Sequence, residues 1–171
     1  MLRKLILRRL DAEERALGTS VEYLRRIVRV SLPAFLKFSL FIPLARHRRA
    51  LPPEPYHIAR LVATRHEDCG TCVQAEVNLA RQAGVAATIL EAVVHQRVAD
   101  LSPEIVDIYH FTQAVVAATG EEETLRPRLR ARYGDAGLVE LALGIAAARV
   151  YPTTKRALGY ATSCARVEVQ V

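Results

Sequence analysis

Helix start and stop signals recur along this chain of 171 residues, and they constrain its fold more than any other feature. The segment S-P-E at residues 102–104 combines an N-cap residue with a first-turn proline and carboxylate, which predicts a helix that ends at Gly120. The proline-rich segment 51–55 predicts another helix start, for a helix over residues 54–65. Only residues 167–171 alternate like a short strand or an ordered tail. The sequence therefore predicts an all-α protein.

Weaker signals predict the remaining helices. Residues 19–22 have the sequence of a capping box and predict a helix that runs to Val30. The spacing of apolar residues predicts further helices at residues 86–98, 125–133, 135–151 and 153–160, with Pro152 separating the last two. A chain of this length is expected to form one domain with a core of its own.

Two cysteines, Cys69 and Cys72, stand at the start of a predicted helix that Gly84 ends. We expect Asp68 to be the N-cap residue of this helix. Thiols three residues apart face the same side of a helix, and the positive end of the helix dipole favours the thiolate over the thiol. Such a cysteine titrates near pH ~7 rather than ~8.5, so one thiolate can act as a nucleophile while the second thiol resolves the product. The pattern predicts a redox dithiol.

Two other interpretations of this cysteine pair stay open. His66 precedes Cys69 by three residues and would add a third zinc ligand. Structural zinc usually needs a second pair of ligands, however, and the remaining cysteine, Cys164, has no ligand beside it. Cys69 and Cys72 could also be buried and unreactive, since a free cysteine packs as a small hydrophobe. Haem attachment is excluded because Val73 stands where that motif needs a histidine.

Positive charge is concentrated in the first third of the chain. The formal net charge is +6, but residues 1–50 hold 12 Lys and Arg against 4 Asp and Glu, whereas residues 51–171 hold 12 against 14. Because most of the chain is slightly acidic, we expect no nucleic-acid partner. Three cysteines are an odd number and too few for a disulfide framework, so we expect a reducing, cytoplasmic compartment.

The basic segment at residues 1–30 is predicted to be a helical extension of a domain that covers residues 31–171. Apolar residues at positions 2–10 share one helical face with arginines beside it. The preferred interpretation is a helix that packs on its own domain or on a neighbouring subunit, and the alternative is a helix that lies on an anionic membrane. Residues 32–45 are the most hydrophobic segment but are too short to span a bilayer, and we expect them to form a buried helix.

The order of these elements resembles the alkylhydroperoxidase D-like fold of the carboxymuconolactone decarboxylase-like superfamily. The resemblance rests on a helix that begins after Leu-Pro, a C-x-x-C at the start of the next helix, an Ala-Gly-Val after it, and the segment 134–141 before an alanine-rich helix. It covers roughly residues 31–160. It implies an all-α, single-domain fold and a homo-oligomer (a dimer, trimer or hexamer) with the site near the subunit contacts.

In redox-active members of this family, the dithiol reduces peroxides or exchanges with a partner disulfide, and a Glu and a His form a proton relay to the second cysteine. Here His57, twelve residues before Cys69, occupies the Glu position, and Glu76, four residues after Cys72, occupies the His position. Glu76 and Cys72 share one helix face. A carboxylate there opposes thiolate formation unless a protonated His57 compensates it.

The resemblance implies that Cys72 is the attacking thiolate and Cys69 the resolving thiol, while Glu76 and His57 transfer the proton. The predicted function is that of a thiol-dependent peroxidase or dithiol–disulfide oxidoreductase. Its partners would be a peroxide or disulfide substrate and an external thiol reductant, and it would require no metal or organic cofactor.

A different class of function would use the same fold without catalysis. The chain would then be an oligomeric binding or scaffold protein whose basic N-terminal helix docks on a partner or a membrane surface. A lactone decarboxylase is a third interpretation, and it is disfavoured because a reactive dithiol has no part in that chemistry.

Overall fold

The computed structural model describes residues 2–161, 167 and 169, and all regular secondary structure within them is helical. The α-helices are α1 (Leu2–Leu17), α2 (Glu22–Val30), α3 (Leu32–Phe38), α4 (Phe41–Ala45), α5 (Pro53–His66), α6 (Gly70–Gln82), α7 (Ala87–Val94), α8 (Pro103–Ala117) and α9 (Glu122–Ala157), with a 3-10 turn at Val98–Asp100. The predicted all-α class is confirmed. Cys164 and most of the segment 167–171, for which a strand or tail was expected, lie outside the described residues.

Helix α5 lies at the centre of the larger part of the fold, which we call the body (α5–α9). Helices α6, α7, α8 and α9 all pack against α5, and its side chains are buried around most of its circumference. A helix whose side chains are buried on most sides lies in the interior of a fold. The body has one continuous core, which includes Ile58, Leu61, Val77, Leu90, Ile108, Leu129 and Leu141. As predicted, α5 begins after Pro52 with a proline in its first turn.

The first four helices form a second unit, which we call the N-terminal layer (α1–α4). This layer has a small apolar cluster of its own: Ile6, Leu10, Val21, Val28 and Phe35. Helix α1 buries Ile6 and Leu10 in that cluster but leaves Leu2 and Leu5 exposed. The predicted apolar face of α1 is therefore used only in part for packing within this chain.

Two side chains of α6 attach the N-terminal layer to the body. Asn78 Nδ2 donates to the Leu17 carbonyl at 2.7 Å, and Gln82 Nε2 donates to the Ala16 carbonyl at 2.8 Å. Both bonds reach the last turn of α1, where carbonyl groups lack helical partners. Helix α4 packs on α9 at the other end of the layer. The layer is thus held at both of its ends.

The prediction of one buried helix over residues 32–45 is wrong, because two short helices cover this segment. Pro43 lacks the N–H that would bond to the Ser39 carbonyl, and its ring would clash with that carbonyl in a continuous helix. Few side chains of the segment are buried, and Leu36, Leu40 and Phe41 are exposed.

The expected end of the long helix at Pro152 is also wrong. Helix α9 continues to Ala157 past Pro152, which is buried against the body, so packing outweighs the lost backbone bond. The predicted break near Gly134 is present as a non-helical residue with φ 69° and ψ 178° inside α9. Further along α9, Gly144 allows close contact with α5, since a Cβ there would lie 2.9 Å from Tyr56 Cε2.

The predicted N-terminal cap of α8 is confirmed, whereas that of α2 is wrong. Ser102 is the N-cap of α8, and its Oγ accepts from the Ile105 N–H at 3.5 Å, as expected. The predicted capping box at residues 19–22 is wrong, because α2 begins after Val21 without a side-chain cap bond. Apolar packing of Val21 in the layer replaces the cap. Helix α2 does end at Val30 as predicted.

Candidate active site

Cys69 is the N-cap residue of α6 and Cys72 lies in the first turn, so the dithiol occupies a helix N-terminus as predicted. The prediction that Asp68 is the N-cap is wrong. Asp68 has a left-handed backbone with φ 46°, which reverses the chain between α5 and α6. Cys69 then has extended backbone, and its carbonyl accepts from the N–H groups of Cys72 and Val73 at 2.9 and 3.0 Å. Gly84 follows the other end of α6 with φ 89°, as expected.

Helix α9 holds the turn that precedes the dithiol. Arg149 Nε forms an ion pair with Glu67 Oε1 at 2.5 Å. Arg156 Nη2 donates to the Glu67 carbonyl and, at 3.0 Å, to the Asp68 carbonyl. These contacts fix the left-handed turn and, with it, the position of Cys69.

A cavity of about 300 Å³ lies between the N-terminal layer and the body. The layer contributes apolar side chains to its wall: Leu10, Leu17, Leu24, Phe35, Phe38 and Ile42. The layer also contributes Glu13 and Tyr23, whereas the body contributes the thiol and most of the titratable groups: Tyr56, His57, Arg60, Cys72, Glu76, Tyr151 and Lys155. Three of the four predicted site residues, Cys72, Glu76 and His57, therefore meet at one cavity, and Cys69 lies next to it through the helix turn.

Both thiols are free and buried, with Cys69 0% and Cys72 6% exposed. A hydrogen bond from the Cys72 thiol lowers the pKa of Cys69 to about 5, with further lowering from the Thr71 hydroxyl and Lys155. The same contact with Cys69, together with burial, raises the pKa of Cys72. Two thiols that share one proton titrate as a pair. The surroundings of Cys69 favour the thiolate more than those of Cys72, whereas Cys72 is the sulfur that lines the cavity.

Glu76 is bound by Arg60, a residue that the sequence analysis did not single out. Arg60 Nε and Nη2 contact the two oxygens of the Glu76 carboxylate at 3.0 and 2.5 Å. Both side chains are buried. Burial opposes the charge on Arg60, but the Glu76 carboxylate outweighs this effect and raises the Arg60 pKa. Arg60, rather than a protonated His57, therefore compensates the carboxylate beside Cys72.

His57 is a neutral imidazole in this site. Burial lowers the pKa of His57 to about 4. The Glu76 carboxylate opposes this shift, and the positive charges of Arg60 and Arg48 add to it. Nδ1 of His57 is buried and has no hydrogen-bond partner among the described residues. No hydrogen bond joins His57 to Glu76 within residues 2–161. Since Arg60 already neutralises Glu76, the site does not need a protonated His57 for that purpose.

Lys155 of α9 is a second site residue that the sequence analysis missed. Its Nζ lies 3.1 Å from Thr71 Oγ1 and 5.2 Å from the centre of the Tyr23 ring. Thr71 Oγ1 in turn lies 3.6 Å from Cys69 Sγ. An ammonium group thus stands one hydroxyl away from the dithiol.

The third zinc ligand considered in the sequence analysis does not join the cavity, because His66 is exposed and lies outside its wall. No group of three or more His, Cys, Asp or Glu among residues 2–161, 167 and 169 is arranged to hold a metal ion. No helix in the same residues combines the length and apolar character that crossing a bilayer demands.

A signal for Arg60 was present in the sequence, whereas the position of Lys155 depends on long-range packing. Arg60 is the one polar residue in the run 58–63 of α5, and a buried arginine needs an acidic partner. Lys155 lies 84 residues from Thr71, in a segment where Pro152 predicted the end of a helix.

No protein-family model, curated protein or solved structure matches this chain. The functional argument therefore depends on the geometry of the site and on the chemistry of its residues.

Proposed function

We propose that this chain is a dithiol oxidoreductase that reduces a peroxide or a disulfide through Cys72 and Cys69, on a fold of the alkylhydroperoxidase D-like type. The observation that carries the proposal is the asymmetric dithiol at the N-terminus of α6. One thiol has a pKa of about 5, and the other lines a cavity. Inert packing would raise the pKa of both buried thiols, so the lowered pKa of Cys69 supports a reactive pair.

Attack is assigned to Cys72 because it is the sulfur in the cavity wall. The Cys72 proton first passes to the Cys69 thiolate, and the Cys72 thiolate then attacks one oxygen of the peroxide. The S–O bond forms as the O–O bond breaks, so Cys72 becomes a sulfenic acid. The alkoxide that leaves takes the proton from Cys69. The sequence moves one proton within the pair and returns the thiolate to Cys69.

Resolution is assigned to Cys69, which is again a thiolate after this step. It attacks the sulfur of the Cys72 sulfenic acid, the S–S bond forms, and hydroxide leaves and takes a proton to become water. Two molecules of an external thiol then reduce the Cys69–Cys72 disulfide and are oxidised to a disulfide themselves. With a disulfide substrate, Cys72 forms a mixed disulfide that Cys69 resolves in the same way.

His57 is proposed to deliver the proton to the departing hydroxide. A neutral imidazole can accept a proton at one nitrogen while it releases another, and Nδ1 of His57 is unpaired among the described contacts. Glu76 is engaged by Arg60 and positions the site instead of carrying the proton. This arrangement revises the relay that the resemblance implies.

The test of the proposal is turnover of tert-butyl hydroperoxide and of glutathione disulfide with dithiothreitol as reductant. Cys72→Ser should reduce turnover to the uncatalysed rate. Cys69→Ser should leave Cys72 as a sulfenic acid or a mixed disulfide, which mass spectrometry detects. Cys164→Ser is the control and should behave as the unchanged protein.

Retained turnover in Cys72→Ser would sink the assignment of the nucleophile. The absence of turnover with both substrates in the unchanged protein would sink the proposed function itself. The proposed function would also be wrong if neither substrate produced a Cys69–Cys72 disulfide.

One observation favours a second candidate function, that of an oligomeric binding or scaffold protein. Leu36, Leu40 and Phe41 expose large apolar side chains close together in sequence, and exposed apolar patches mark contact surfaces. Leu36 and Leu40 lie outside the cavity wall, so the double variant Leu36→Lys, Leu40→Lys separates the two functions. An enzyme should keep its turnover, whereas a scaffold should lose self-association in sedimentation velocity.

A further inference from the structure

Lys155 is a buried lysine without a carboxylate within ion-pair distance among the described residues. Its side chain is 6% exposed. The other buried charged groups of the body have strong partners: Arg60 binds Glu76, and Glu140 accepts three backbone N–H bonds. Burial of an ammonium group is costly unless an opposite charge or a full set of acceptors compensates it. The position of Lys155 therefore requires an explanation.

The direct contacts of Lys155 are both uncharged. Nζ lies 3.1 Å from Thr71 Oγ1 and 5.2 Å from the centre of the Tyr23 ring. Burial raises the pKa of Tyr23, so this tyrosine is neutral. A cation–π contact and one hydroxyl acceptor leave most of the charge of a buried ammonium uncompensated.

The Thr71 hydroxyl connects Lys155 to the dithiol. Its Oγ1 lies 3.6 Å from Cys69 Sγ, within hydrogen-bond range for sulfur. A hydroxyl accepts from an ammonium group and donates its own proton at the same time. Thr71 can therefore accept from Lys155 and donate to a thiolate on Cys69. The bond from Thr71 to Cys69 is strongest when Cys69 is negatively charged.

We propose that Lys155 is the counter-ion of the dithiol and that, through the Thr71 hydroxyl, it holds the resting negative charge on Cys69. Lys155 is a positioning residue in this assignment, since it acts on the sulfur through Thr71. The inference deepens the proposed function, and its meaning for catalysis rests on that function. The charge state of the dithiol, however, is measurable without any substrate.

The other charged groups that face this part of the cavity have partners of their own. Glu13 of α1 pairs with Arg46, and Glu76 of α6 pairs with Arg60. Arg48, in the segment after α4, donates to the carbonyl of Leu51. The two ion pairs are neutral overall, whereas Arg48 keeps a positive charge that no carboxylate of the described residues pairs with.

The remaining titratable groups of the cavity wall are uncharged near neutral pH. Burial lowers the pKa of His57 and raises the pKa of Tyr23, Tyr56 and Tyr151. Lys155 lowers the pKa of both cysteines. Among the charged groups of the wall, Lys155 is the one that the Thr71 hydroxyl joins to the dithiol, so the dithiol is its nearest partner for a negative charge.

The experiment measures the rate of alkylation by iodoacetamide as a function of pH, with mass mapping of the modified cysteine. An opposite charge within reach lowers a thiol pKa by about one unit or more, so Lys155→Met should raise the apparent pKa of Cys69 by at least about one unit. Lys155→Arg keeps the charge and should restore a value close to that of the unchanged protein. Thr71→Val keeps Lys155 but removes the bridging hydroxyl and should also raise the pKa.

The matched control is Lys37→Met, since Lys37 is an exposed lysine of the N-terminal layer. It should leave the pH profile unchanged. The equilibrium with glutathione gives a second readout, because loss of thiolate stabilisation disfavours the reduced dithiol at neutral pH. A tenfold change in that equilibrium corresponds to about 30 mV in reduction potential.

An unchanged Cys69 pKa in folded Lys155→Met would overturn the inference. If Lys155→Met does not fold, Thr71→Val decides, and an unchanged profile in that variant has the same consequence. The inference and the proposed function can fail separately. If the Cys69 pKa shifts in the variants but the unchanged protein shows no turnover, the proposed function alone is wrong. If the unchanged protein shows turnover but the Cys69 pKa does not shift in the variants, the role of Lys155 alone is wrong.

Discussion

The body and the N-terminal layer are stabilised by different kinds of interaction. The body has a continuous apolar core and a buried ion pair between Arg60 and Glu76. The layer has a small apolar cluster and exposed ion pairs, such as that of Arg46 with Glu13. Because exposed pairs contribute only about 0–1 kcal/mol, we expect the layer to open at a lower free energy than the body. The body fixes the sulfur atoms, and the layer controls access to them.

The largest effect should come from breaking the ion pair of the body. Arg60→Met leaves the Glu76 carboxylate buried and unpaired, which should lower the free energy of unfolding by about 3–5 kcal/mol. Arg46→Met removes an ion pair of the layer whose arginine side chain is 63% exposed, and the change should stay within about 0.5 kcal/mol. Urea unfolding measures both values. Equal losses in the two variants would remove the distinction between the two regions.

A double variant separates the charge effect from the packing effect. In Arg60→Met, Glu76→Leu, no unpaired charge remains, so most of the lost stability should return. Persistent destabilisation would mean that packing around Arg60, rather than its charge, is the important contribution.

Truncation of one core side chain in each region should give the next largest contrast. Leu61→Ala makes a cavity in the body core and should cost about 2–5 kcal/mol of global stability. Leu10→Ala acts on the small cluster of the layer. In hydrogen exchange, it should speed the exchange of amides in α1–α3 and leave those of α5 unchanged. Equal loss of protection in α5 would show that the two regions unfold as one unit.

The junction of the two regions depends on Glu140 of α9. Its carboxylate accepts from the backbone N–H groups of Arg49, Ala50 and Leu51 at 2.7 to 3.0 Å, just before α5. Glu140→Gln leaves one carbonyl oxygen for three donors and should cost about 1–3 kcal/mol in urea unfolding at pH 7.

The contribution of Glu140 should also depend on pH. Burial would raise the pKa of Glu140, but the three backbone donors outweigh it and lower the pKa below its ordinary value. A carboxyl group whose pKa is lower in the folded state stabilises the fold above its unfolded pKa of about 4.3, and this stability is lost as the pH falls through the folded value. The difference in the free energy of unfolding between the unchanged protein and Glu140→Gln should be constant from pH 6 to 8. It should shrink below pH ~4.

The smallest effect should come from loosening the attachment of α1. Asn78→Ala removes the bond to the Leu17 carbonyl and should lower stability by about 0.5–1.5 kcal/mol. Because the layer then opens more often, alkylation of Cys72 should become several-fold faster at constant pH. Gln82→Ala removes a more exposed bond to α1 and should have a smaller effect. An unchanged alkylation rate in both variants would mean that reagents reach Cys72 by another route.

The success of the sequence predictions depends on how local each signal is, in the body as well as in the layer. Ser102 and Pro103 specify the start of α8 through bonds within one turn. By contrast, the break between α3 and α4 depends on Pro43, and the length of α9 depends on the burial of Pro152. In α9, the packing of Pro152 outweighs the local signal for a helix end, and no pattern within the sequence of α9 reveals this.

The candidate site divides in the same way. The placement of Cys69 and Cys72 at a helix start follows from local sequence, and i,i+4 spacing places Glu76 beside Cys72. The partner of Glu76 could not be read from the motif, because Arg60 reaches it from another helix. Lys155 comes from the far end of the chain, so its contact with Thr71 depends on the complete fold.

The Ala45 carbonyl at the end of α4 accepts from Tyr56 Oη at 2.7 Å and from Arg60 Nη1 at 3.0 Å. Any movement of α4 away from α5 must break both buried bonds, at about 1–3 kcal/mol each. The side chain that neutralises Glu76 therefore also holds the end of the N-terminal layer on the body. By reciprocity, a change in the contact between Arg60 and Glu76 should alter how tightly α4 is held.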